Sequence, residues 1–217
     1  MSQSLLQVST PEFSPESKYA LLCFWQQHGH GAGAAVRRGV KEFAAEWGVS
    51  DRVVTKALGE LVAANALVYT RISEGRGRPG YAYRLSSWYV DQLAQKAGDD
   101  EGEALHAEII QSVLQNPRME GGFAYPDAPE VSPNAARAST RGRSGEDLDA
   151  VNRLVLMVLL AHADDAGVVR GMGPAELAKL VGIRKDRFQR QVGKLKELGY
   201  IRGVVPGISG QRLFGVA

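Results

Sequence analysis

The sequence predicts a mainly α-helical chain of the α+β class, with small β-hairpins set beside pairs of helices. Three observations predict it. Between Val40 and Leu85 there follow a short apolar-periodic helix, a Gly-Val-Ser turn, a second helix, and two β-like runs around a glycine- and arginine-rich loop. The order of helix, glycine turn and helix returns between Pro174 and Gly199. The stretch between them is first acidic and then rich in proline, glycine and serine, which is the composition of a connector and not of a core.

With 217 residues the chain is long enough for two small domains. Hydrophobic residues make up 44% and charged residues 23%, as expected of a soluble globular protein. The one cysteine, Cys23, excludes an intramolecular disulfide and fits a reducing cytoplasm. The N-terminal MSQSLLQVSTPEFSPESK has neither a basic start nor a long apolar run, so no signal peptide is expected. The longest apolar run, Leu154 to Ala161, is too short to span a bilayer. Net charge is only +2, but it is unevenly spread. Residues 16–85 hold ten basic and six acidic side chains, residues 86–130 two and nine, and residues 131–217 fourteen and eight. Two basic blocks flank an acidic middle, and local positive faces are what nucleic acid binds.

Residues 1–15 show no period and read as an N-terminal arm. Ser14-Pro15-Glu16 then makes a helix start, with a capping hydroxyl, a proline in the first turn and an acid at the positive helix end. Tyr19, Leu21, Leu22, Phe24 and Trp25 fill that helix, which stops in the glycine-broken stretch 28–33. Val40, Phe43, Ala44 and Trp47 form one face of the next helix. Gly48 ends it, Val49 turns inward, and Ser50 caps the helix Asp51 to Ala63, whose Val54, Leu58 and Leu61 recur at helical spacing. Its opposite face offers Arg52, Thr55, Lys56 and Gly59, short or hydrogen-bonding side chains with two cations. Asn65 breaks the helix. Ala66 to Ile72 and Tyr81 to Leu85 read as paired strands, with Arg76 and Arg78 on the loop between them. This is the order of a winged helix-turn-helix. Its second helix suits a DNA major groove, and arginines on the wing suit a narrow minor groove.

Residues 86–115 read as an acidic helical connector of two helices. Leu105, Ile109, Val113 and Leu114 make an apolar stripe that calls for a partner, either the first domain or a second copy of the chain. Residues 116–145 read as a flexible linker with four of the nine prolines. The second domain, 146–217, opens with an apolar helix carrying Leu148, Val151, Leu154, Val155, Val158 and Leu159, followed by a short strand candidate at Val168–Val169. A helix from Pro174, a Gly182-Ile183 turn and a helix from about Arg184 to Leu198 come next, then strand candidates at Tyr200–Val205 and Gln211–Val216.

Sliding the chain against itself by 134 residues superposes the two units. Phe43 meets Leu177, Gly48 meets Gly182, Val54 meets Phe188, Gly59 meets Gly193, and Asn65 meets Gly199. The fold expected is therefore two winged helix-turn-helix domains, 16–85 and 146–217, joined by the acidic helices and the linker. The second helix carries Lys185, Arg187, Gln189, Arg190, Lys194 and Lys196, which makes it the more basic of the two, although Arg184 stands where Ser50 caps the first.

The stretches EFAAEWGVS, LGELVAANALV and RGRPGYAYRL resemble the winged-helix domains of bacterial transcription regulators such as the MarR and GntR groups. The segment from RLVLMVLLAHADDAG to KLKELGYI is similar to helix-turn-helix domains of phage and plasmid regulators and replication proteins. These resemblances imply double-stranded DNA as the partner, a cytoplasmic location with nucleoid association, and no enzymatic activity. The DNA-contacting candidates are Arg52, Thr55, Lys56, Arg76, Arg78, Lys185, Arg187, Gln189, Arg190 and Lys194. The first expectation is a sequence-specific transcriptional regulator with its two modules on successive grooves. A replication or partition protein of a plasmid or mobile element is the alternative within DNA binding. From another class comes a tandem winged-helix module that binds protein, as in segregation and condensation protein B. No catalytic arrangement, metal site or cofactor motif emerges. Cys23, His28 and His30 lack a fourth ligand, Asp164-Asp165 lack the spaced acids of a calcium loop, and GRGRPG lacks a Walker lysine.

Overall fold

The computed structural model describes residues 2–7, 9–10, 12–29, 34–73, 80–97, 105–115 and 148–204. Among these residues the chain is mainly helical, with one small antiparallel sheet. The helices are α1 (Ser2–Gln7), α2 (Pro15–His28), α3 (Val40–Trp47), α4 (Asp51–Ala63), α5 (Ser87–Ala97), α6 (Ala107–Gln115), α7 (Ala150–Ala161), α8 (Pro174–Val181) and α9 (Lys185–Glu197). The strands are β1 (Val36–Arg37), β2 (Leu67–Ile72) and β3 (Gly80–Leu85), with β3 in the centre. Tyr69 lies opposite Tyr83 and Arg71 opposite Tyr81. None of the described helices is long and apolar enough to cross a membrane.

The repeat read from the sequence holds residue for residue between the paired helices. α3 and α8 are 134 residues apart at both ends, and so are α4 and α9. Each second helix starts with a glycine N–H donated to a glutamate three residues on, Gly39 to Glu42 at 2.6 Å and Gly173 to Glu176 at 2.7 Å. Each ends at a left-handed glycine, Gly48 at φ 61° and Gly182 at φ 80°. There a Cβ would crowd the following carbonyl at a cost of about 1–2 kcal/mol. The turn then closes the same way, with Val49 N–H donating to Ala44 at 3.1 Å and Ile183 N–H to Ala178 at 3.0 Å. Asn65 (φ 57°) and Gly199 (φ 82°) stop the third helices.

In the first unit Trp47 stacks on Phe43 with centroids 4.6 Å apart, and Phe24 and Tyr83 close around Phe43. Among the described residues the second unit keeps the helices and shows no strand ladder. Its expected strand at Val168–Val169 is a single bridge between Ala163 and Val169, and residues 200–204 form no strand. Residues 205–217, where its wing was expected, lie outside the described residues, as does the linker core at 116–147.

One expectation needs correction, and one open alternative is decided among the described residues. Residues 2–7 are a helix and not an arm, with Leu5 and Leu6 fully buried and Phe13 packed on Tyr89 at 5.6 Å. Two adjacent leucines carry no period, so sequence alone could not show that helix. Of the two partners open to the apolar stripe of 105–114, the rest of the chain supplies the cover: Val113 and Leu114 are buried, and α6 packs on α2, α3 and α7. Ile110 is buried where Ile109 was expected, and Ile109 is half-buried. Leu105, expected on that stripe, is exposed, because it precedes the helix.

One buried cluster runs through both units, with α2 packed on α7 at its centre. Arg153, on α7, is 1% exposed. Its Nη1 donates to the Tyr19 hydroxyl at 2.9 Å and to the Trp47 carbonyl at 3.0 Å, and its guanidinium lies 5.8 Å from the Tyr19 ring centre. Tyr19 donates in turn to the Trp47 carbonyl at 3.0 Å. Burial pushes the Cys23 thiol up to about 12. Lys18 is buried too, and its Nζ donates to the Leu180 carbonyl at 2.6 Å near the end of α8.

Burial lowers the Lys18 ammonium to about 7, with Glu12 opposing the shift. The folded state therefore holds fewer protons than the unfolded state between that value and the ordinary 10.5. Stability contributed at this site rises as pH climbs through that window. Relative to Lys18→Met, the wild type is expected to gain about 2 kcal/mol between pH 7 and 9. Urea melts of both proteins at the two pH values check this, and a constant difference would refute it.

Candidate nucleic-acid interface

Val54, Ala57, Leu58 and Leu61 hold one side of α4 in the core, so the other side must face outward. There Arg52, Thr55, Lys56 and Gly59 are all exposed. The Thr55 hydroxyl donates back to the Asp51 carbonyl at 2.8 Å, which leaves its lone pairs for a ligand donor. Lys56 pairs with Glu60 at 3.5 Å. Glu60 belongs to the scaffold: it accepts from the Ser14 N–H at 3.0 Å and the Ser17 hydroxyl at 2.7 Å. Desolvation raises its carboxyl, but those hydrogen bonds and Lys56 outweigh it and hold it at about 2. Gly59 has open space around it, since a Cβ there would meet nothing within 4 Å. A mid-helix glycine costs about 1 kcal/mol relative to alanine. No packing reason offsets that cost at Gly59, so the helix surface is low where a backbone could approach.

α9 carries the equivalent face, with Phe188 and Leu195 inward. Lys185, Gln189 and Arg190 are exposed, and Gly193 again has nothing within 4 Å of a built Cβ. Two of the expected contact residues are turned to other work. Arg187 pairs with Glu16 of α2 at 3.2 Å, and Lys194 pairs with Asp149 at the start of α7 at 3.7 Å. Asp186 and Glu197 are exposed on the same outer side as Arg190. Both outer faces are thus mixed: Lys185, Arg190 and Lys196 lie beside Asp186 and Glu197 on α9, and Arg52 and Lys56 beside exposed Asp51 and the pairing Glu60 on α4. Arg76 and Arg78, expected on a wing, lie outside the described residues.

Arg184 was not among the candidates read from the sequence. It occupies the N-cap position of α9 without a capping side-chain bond, and it shares a shallow cleft with Asp186, Arg187 and Arg190. The signal was the spacing of arginines at 184, 187 and 190, three residues apart on a helix start. A second open cleft lies beside the sheet, where Arg37, Arg38, Val40 and Leu58 face Tyr81 and Tyr83. Arg38 is engaged there with Glu46 at 3.1 Å and Glu42 at 3.8 Å. The exposed Tyr69 and Tyr81 stand edge to face at 5.7 Å on the hairpin beside it.

No protein-family model, curated protein or solved structure matches the chain.

Proposed function

We propose that the chain is a sequence-specific transcriptional regulator that binds double-stranded DNA. The observation that carries this reading is the outer face of α4. It presents Arg52 and Lys56 beside a glycine with open space, on a helix held rigidly by its buried side, and α9 repeats the layout with Arg190 and Gly193. Cations beside a low point suit a phosphate backbone, and arginine with glutamine can read guanine and adenine edges in a major groove. The α2–α7 core fixes both faces, so the protein presents them preformed and loses little ordering entropy on binding.

Fluorescence anisotropy with random-sequence duplexes tests the reading. Binding is expected to weaken steeply with salt, by about 0.9 log units in affinity per log unit of salt for each phosphate neutralised. A sequence selected from that pool should bind at least a hundredfold tighter than the pool at the same salt. A flat salt response would show that these faces do not meet DNA.

A further inference from the structure

The two three-helix units repeat in tandem along the chain, which by itself suits a pair of readers pointing the same way. The contacts say otherwise. We propose that the chain is a fused dimer whose units are related by an approximate two-fold axis, and that its duplex target is an inverted pair of unlike half-sites. The second statement rests on the DNA reading above; the first rests on contacts alone.

Tyr19 and Arg153 are 134 residues apart, so they are the same position in the two units, and they touch at 2.9 Å. A residue that contacts its own equivalent marks a two-fold axis, because head-to-tail packing brings unlike patches together. The flanking contacts are reciprocal. Lys18 of α2 donates to the Leu180 carbonyl, next to last in α8. Arg153 of α7 donates to the Trp47 carbonyl, the last residue of α3. Each unit's first helix thus places a cation on the C-terminal end of the other unit's second helix, with an offset of one residue. Cations are favoured at that end by the helix dipole.

The outer helices obey the same axis. Glu60 near the end of α4 reaches the start of α2 through Ser14 and Ser17. Its equivalent, Lys194 near the end of α9, reaches the start of α7 through Asp149. Arg187, in the first turn of α9, pairs with Glu16 at the start of α2. So the last turn of α4 and the first turn of α9 both reach the start of α2. A two-fold axis through the Tyr19–Arg153 contact runs α4 and α9 in opposite directions past that point, and it carries the face with Arg52 and Gly59 onto the face with Asp186 and Gly193.

Two readers related by a two-fold axis meet the strands of a duplex in opposite senses, so their half-sites are inverted. The half-sites must differ in sequence, because Arg52, Thr55 and Lys56 correspond to Asp186, Gln189 and Arg190. A glutamine favours adenine, an arginine guanine, and an aspartate accepts from cytosine.

The experiment is a selection of duplexes from a library with a random 30-base-pair centre (a length of about three helical turns), using the full chain, followed by affinities for the recovered site. Two unlike half-sites in inverted order are expected. Flipping one half-site should weaken binding by about tenfold or more. Arg52→Ala should relax sequence preference in one half and Arg190→Ala in the other. Half-sites in the same orientation, or one undivided site that Arg190→Ala leaves unaffected, would overturn the two-fold arrangement while leaving DNA binding in place. Recovery of no preferred duplex overturns the DNA reading, and this target with it.

Discussion

Replacing Arg153 with alanine is expected to destabilise the protein by about 3–5 kcal/mol, the cost typical of removing a large buried side chain and its fixed polar partners. Arg153 is almost wholly buried between α2, the end of α3 and α7. The truncation would leave a cavity and strip one donor from the Trp47 carbonyl, to which the Tyr19 hydroxyl also donates. Because Arg153 joins the two units, its loss should also weaken their coupling. Urea unfolding of Arg153→Ala should show a lower midpoint and a broadened or split transition. Arg153→Met, which restores most of the volume without charge, should recover much of the loss, since well-packed apolar volume avoids the desolvation cost of a buried charge. A change under about 1 kcal/mol for alanine, with one sharp transition, would show that the units do not depend on this contact.

Arg153 also shows where sequence reading stops. The turns and paired helices were legible because local chemistry specifies them: a left-handed glycine at 48 and 182, a glutamate three residues into each helix, and apolar residues at helical spacing. The same logic gave the ends of α3, α4, α8 and α9 almost to the residue. The docking of one unit on the other was not legible. α7 is buried on all sides from Ala150 to Val158, including Asn152 and Arg153. A helix buried all round loses the stripe from which orientation is read. Asn152 and Arg153 interrupt the apolar run, and only the partner surfaces, Tyr19 and the Trp47 carbonyl, reveal the role of Arg153. The DNA-facing candidates divide in the same way. Arg52 and Lys56 were readable as outward-facing residues from the period of α4. That Arg187 and Lys194 turn to Glu16 and Asp149 depends on contacts between elements as much as 171 residues apart, which no local pattern encodes.

That division yields the sharpest test of the proposed interface. Arg52→Ala should weaken binding to the selected duplex by about 1–3 kcal/mol, or roughly five- to a hundredfold. Arg187→Ala should weaken it far less, because its guanidinium already faces the Glu16 carboxylate. Charge alone would rank the two equally, so the contrast separates geometry from composition. Gly59→Glu makes the stronger case. A Cβ there meets nothing within 4 Å on this exposed face, and glutamate improves helix propensity by roughly half a kcal/mol or more. It also lies within reach of Lys56, one turn back on the same face. The thermal midpoint is therefore expected to hold or rise, while DNA binding is abolished by a carboxylate pressed against phosphates. A variant that melts higher yet no longer binds cannot be explained by unfolding. Retained binding in Gly59→Glu would mean that the outer face of α4 does not approach the duplex, and the interface would have to lie elsewhere on the chain.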